Sequence, residues 1–84
     1  MNSKHRRTLV AVFKEPVSGS LAWADIESLL LHVGCELIEG SGSRGRFSSG
    51  GHVASFHRPH PAKDAKRYQV RDARAFLLLL GVEP

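Results

Sequence analysis

Cysteine is almost missing from this chain of 84 residues: there is one, Cys35. No internal disulfide is possible, so no disulfide framework ties the chain to an oxidising compartment. Long apolar runs are lacking too. The longest, residues 76–80, is far too short for a bilayer, and residues 9–13 are too short for a signal-peptide core and run into Lys14-Glu15. The cytosol, that is a cytoplasmic location, is the default, and no membrane partner is expected. Metal-ligand sets are scarce. His57 and His60 have His-x-x-His spacing, but no second cysteine or nearby acid completes a zinc set, so neither a metal nor another cofactor is expected. The stretch 40–45 lacks the Lys-Ser/Thr ending of a phosphate-binding loop, and no nucleophile elbow or triad spacing appears.

What the chain does have is positive charge and histidine. Twelve Lys and Arg against eight Asp and Glu leave a formal net charge of +4, which favours a polyanionic partner without naming it. The length suits one small domain. Residues 1–7 are polar and basic and read as a frayed end that includes His5. Leu9, Val12 and Phe13 fit one helical face, which predicts a short helix over residues 6–14 that Pro16 ends. Residues 17–20 read as a linker. Trp23, Ile26, Leu29, Leu30 and Val33 predict a second helix over residues 23–33, with Asp25 in its first turn, His32 in its last and Gly34 just beyond.

Three strands follow, over residues 35–39, 44–48 and 52–57. Gly40–Ser43 joins the first two, and Ser49-Gly50-Gly51 is a hairpin signal between the last two. Alternation puts Arg44, Arg46 and Ser48 on one face with Gly45 and Phe47 on the other. In the third strand Val53, Ser55 and His57 oppose Ala54 and Phe56. Residues 58–67 read as a loop stiffened by Pro59 and Pro61. Val70, Ala73, Phe76, Leu77 and Leu80 mark a last amphipathic helix ended by Gly81. The order implies an α+β layer fold: a three-stranded antiparallel sheet with helices on one face. Cys35 reads as a small buried hydrophobe.

The chemistry sits in Phe56-His57-Arg58-Pro59-His60-Pro61. Imidazole titrates near neutrality and carries protons, while guanidinium binds phosphate through paired donors. His57 ends a strand and His60 lies in the turn after it, so both are expected at the surface. Arg44 and Arg46 share a sheet face, and Arg58, Lys63, Lys66 and Arg67 follow. Together they suit a phosphate backbone. Ser41, Gly42 and Ser43 offer turn N–H groups to an anion. The bland alternative is a rigid wet turn beside an ordinary solvated strand face.

Gly42-Ser43, a hairpin ending in Phe56, Pro59-His60-Pro61 with Lys63, and a final short helix resemble the HicA toxin family. The resemblance covers about residues 23–82. It divides the chain into a 1–22 extension, holding the short helix and linker, and a 23–84 HicA-like domain. It implies a double-stranded-RNA-binding-domain-like fold and a toxin that cleaves mRNA without a metal. It also implies a HicB-like antitoxin that covers the active face. In the family, Gly-Ser is followed by a catalytic histidine on the second strand; here Gly42-Ser43 is followed by Arg44. Three readings stay open. His57 or His60 has taken over proton transfer, Arg44 only clamps phosphate, or the alignment slips within the glycine-rich turn. The site expectation is therefore His57 and His60 as acid and base, with Ser43, Arg44, Arg46, Arg58 and Lys63 on the RNA. A non-catalytic RNA-binding module, or an antitoxin-binding domain on the same fold, is the alternative.

Overall fold

The computed structural model describes residues 1–40 and 42–84. Six elements follow in order: α1 (Ser3–Phe13), α2 (Trp23–His32), β1 (Glu36–Glu39), β2 (Arg44–Ser49), β3 (His52–His57) and α3 (Arg67–Leu79). The strands form an antiparallel meander in the order β1-β2-β3. This is the expected α+β fold, similar to a double-stranded-RNA-binding domain, with one sheet face against helices and the other open.

α1 begins three residues before its expected start. Asn2 Oδ1 accepts a hydrogen bond from His5 N at 2.8 Å, satisfying a first-turn N–H that has no helical partner. His5 is therefore held in a helix, not frayed. Thr8, Leu9 and Val12 bury one side of α1. Its far end is capped from α3. Arg74 donates to the carbonyls of Val12 and Lys14, each at 3.0 Å, and to Glu15 Oε2 at 3.2 Å.

α2 stops at His32, one residue before its expected end, with Val33 as its cap. Cys35 N donates to the Leu30 carbonyl and Gly34 N to that of Leu31, which satisfies two carbonyls of the last turn. Cys35 follows as a buried linking residue, not as the first residue of β1, and burial pushes its thiol pKa up. α3 ends in the same way through Val82 N to Leu77 O and Gly81 N to Leu78 O. It starts before the first apolar residue of its pattern, because Lys66 N donates to Gln69 Oε1 at 2.9 Å and closes the first turn.

β2 and β3 are joined by a two-residue turn at Gly50 and Gly51, with φ of 54° and 87°. Positive φ at both central residues matches the right-handed twist of the flanking strands, and glycine adopts it without a Cβ clash. The turn sets the register Arg44↔His57, Arg46↔Ser55 and Ser48↔Val53. Residues directly opposite share a face. Phe47 and Phe56 therefore point inward, where their rings meet edge to face at 5.9 Å and Trp23 lies 5.1 Å from Phe56. Ile26, Leu29 and Leu30 of α2, Val70, Ala73, Phe76 and Leu77 of α3, and Leu9 and Val12 of α1 complete one core.

The stretch between β3 and α3 is pinned to the chain before α2. Trp23 N donates to Lys63 O at 3.0 Å, and Ala65 N to Leu21 O at 2.8 Å.

Candidate functional site

Strand alternation, fixed by the buried Phe47 and Phe56, aims Arg44, Arg46 and His57 out of the open sheet face. All three are exposed. Arg44 and His57 are direct cross-strand partners. Opposed Cβ atoms in such pairs lie about 4.5–5.5 Å apart, so both side chains reach the same small ligand group. Ser43, just ahead of β2, joins them: its hydroxyl is hydrogen-bonded to His57 Nε2 at 2.9 Å. One ring nitrogen is thereby engaged and oriented, leaving Nδ1 as the second proton site of the ring.

The backbone of His57 is held as well. Its carbonyl accepts a hydrogen bond from Gln69 Nε2. The buried Gln69 thus uses one end of its amide to close the first turn of α3 and the other to hold the end of β3. Two adjoining hollows flank His57. One, of about 220 Å³, is lined by Arg44, Ser55, His57, Tyr68, Gln69 and Asp72 among others. The other, of about 140 Å³, includes Arg58, Pro59, His60, Lys66 and Tyr68 along with His57. His60 thus stands in the wall next to His57, on the same side of the molecule.

Arg58 borders the second hollow, but its guanidinium is held by carboxylates. One residue past His57, it turns under the sheet. Its Nε donates to Glu27 Oε1 at 3.0 Å, and its two terminal nitrogens donate to Glu39 at 3.1 and 3.2 Å. Glu27 Oε1 also accepts from Trp23 Nε1 at 3.0 Å. The guanidinium packs against Gly45, where a Cβ would meet it at an ordinary contact distance of 3.4 Å. The Arg58 hydrogen bonds hold the Glu39 carboxyl below its ordinary pKa. The hydrogen bonds it donates to Glu39 first, then to Glu27, raise the guanidinium's own. Arg58 is committed to two carboxylates on the inner side, away from Arg44 and Arg46.

Lys63 is exposed on the pinned stretch and lines neither hollow; Lys66 does. Ser41, expected to offer an N–H to an anion, lies outside the described residues. Sequence reasoning missed Gln69, Tyr68 and Asp72. The signal for Gln69 was its place three residues after Lys66 at a helix start, half of a reciprocal capping pattern. Tyr68 and Asp72 carried no signal: only folding brings the start of α3 against the end of β3.

A family model described as the HicA toxin of bacterial toxin–antitoxin systems matches residues 23–76. The chain belongs to the HicA toxin family. It is thus the toxin side of a toxin–antitoxin pair, and the HicA match begins at the first residue of α2. No curated protein and no solved structure matches the chain. No helix among the described residues is long and apolar enough to cross a membrane.

Proposed function

We propose that this HicA chain binds mRNA across its open sheet face and cleaves it without a metal, with His57 as the central proton carrier. The observation that carries the reading is the Ser43–His57 hydrogen bond beside the cross-strand partner Arg44. Relative to the family pattern, arginine stands at the histidine position on the second strand and an imidazole stands directly across from it. Both project from one face, so the same proton carrier and phosphate ligand are available with the strands exchanged.

Cleavage requires a base that takes the 2′-hydroxyl proton while that oxygen attacks phosphorus. It requires an acid that protonates the departing 5′-oxygen, leaving a 2′,3′-cyclic phosphate, and cations beside the crowded phosphorane. His57 and His60 serve as the acid–base pair, and Arg44 and Arg46 stabilise the added negative charge. Ser43 orients the His57 ring. Arg58 acts by holding the end of β3 rather than by touching phosphate. A HicB-like antitoxin inhibits by covering the same face.

The test is incubation of purified chain with mixed RNA in the presence of a chelator. General acid–base help is worth about 10²–10⁴-fold, so His57→Ala should lower the cleavage rate by about that factor. His60→Ala should slow it as well, and the double variant should no longer arrest growth on expression. Full cleavage by the double variant discards the histidine mechanism.

Arg44 itself favours a second reading. With the family's histidine replaced, the face is an RNA-binding surface without chemistry. That reading predicts intact RNA after long incubation, with salt-dependent binding that weakens in Arg44→Glu/Arg46→Glu.

A further inference from the structure

The charge of this chain is divided unequally. Residues 1–14 hold four basic side chains, Lys4, Arg6, Arg7 and Lys14, and no acid; residues 15–84 hold eight of each. The entire net charge of +4 therefore lies in and just after α1, outside the segment that matches the family. The neighbouring carboxylates are already engaged. Asp25 sits 3.6 Å from Lys4, and Glu15 sits 3.2 Å from Arg74. Among the described residues, Arg6, Arg7 and Lys14 form no ion pair. They surround Val10 and Ala11 on one side of α1, opposite the buried Leu9 and Val12. Arg6 and Arg7 lie within α1, and Lys14 caps its end two turns further on.

We propose that this face of α1 is a second contact surface for the RNA phosphate backbone, separate from the sheet-face site. Two uncompensated arginines side by side on an ordered helix, and an uncompensated lysine at its far end, complement a chain of phosphates. Arginine supplies paired donors to each phosphate, and the helix keeps the charges from collapsing onto local acids. An anionic bilayer is a poorer occupant, because the apolar side of α1 is spent on the core and only Val10 and Ala11 remain between the charges. The inference rests on the reading that RNA is the target. The surface adds grip and no base discrimination, so it raises affinity equally for all sequences.

The experiment measures binding of fluorescent single-stranded RNA of several sequences to the full chain between low and physiological salt. Wild type is compared with Arg6→Ala/Arg7→Ala/Lys14→Ala and with Arg6→Lys/Arg7→Lys. Each phosphate contact on a single strand contributes about 0.7 to the slope of log affinity against log salt. The triple variant should flatten that slope by about 2 and lose affinity alike for every sequence. In a cleavage assay its KM should rise with kcat unchanged. The lysine variant should keep most of the slope, and circular dichroism checks that all three chains fold. An unchanged slope and KM in a triple variant that still binds RNA overturns this inference alone. A wild type with no RNA affinity overturns it together with the reading it rests on. Loss of binding to phosphatidylserine vesicles, with RNA binding intact, assigns the face to membranes and also overturns it.

Discussion

Arg58 and His57 are adjacent in sequence and opposite in role. The pleat sends one to solvent and the other beneath the sheet, where the guanidinium ties Glu27 of α2 to Glu39 of β1. Alternation made the outward phase of His57, Arg44 and Arg46 legible before folding. The partners of Arg58 were not legible, since Glu27 and Glu39 lie 31 and 19 residues away and nothing local singles them out. A guanidinium beside a histidine reads as a phosphate ligand until it is found holding two carboxylates. The Arg58–Glu39 pair has a pH signature. The hydrogen bonds from Arg58 put the folded-state pKa of Glu39 below its ordinary 4.5. Its contribution is then complete above 4.5 and drains away as pH falls through the lower folded value. Glu39→Gln should flatten the acid limb of a stability–pH profile below 4.5, measured by urea denaturation. Wild-type and variant limbs that run parallel there would dissolve the assignment.

Helices and hairpin differ in how plainly they were written. α2 carries apolar residues at helical spacing between an acid-bearing first turn and Gly34, and Gly50-Gly51 marks its turn, so both were legible. The start of α1 was not, because its first turns are polar and only the Asn2 cap betrays them. Folding then gives His5 work to do. Its ring stacks on His32 of α2 at 4.3 Å between centroids, and Nε2 is hydrogen-bonded to Ser28 Oγ at 2.9 Å. The Nδ1 atom is buried without a partner. Desolvation first, then the nearness of His32, Lys4 and the N-terminus, lowers the His5 pKa from 6.5. The docked helix therefore prefers the neutral ring. That preference is complete above 6.5 and is lost as pH falls through the lower folded value, so acidification loosens α1 from α2. Melting temperature should fall between pH 7.5 and pH 5, and His5→Phe, which keeps a stacked ring that cannot titrate, should fall less. Equal losses in the two proteins would place the pH sensitivity elsewhere.

At the scale of the whole molecule, the segment ahead of the family match is part of the core. Leu9 and Val12 are buried with residues of α2 and α3, and Arg74 of α3 caps α1. The sequence marked residues 1–22 as an extension because the recognisable motifs begin later; burial is invisible to motif matching. Two buried aliphatic side chains are worth about 1.5–3 kcal/mol each. A small domain has about 5–15 kcal/mol in all. Removal of residues 1–14 should therefore lower the denaturation midpoint sharply or abolish the cooperative transition, read by circular dichroism. A truncated chain that melts like the full one would show that α1 is a passenger. The two-residue turn at Gly50-Gly51 has a consequence of its own. It locks parity: in β2 only residues 44, 46 and 48 look outward, and in β3 only 53, 55 and 57. A functional ring can hop sideways between Arg44 and His57 without disturbing anything inside. Moved one step further into either strand, to position 45 or 56, it would land in the hydrophobic interior, and a register slip of one residue would evert the whole face.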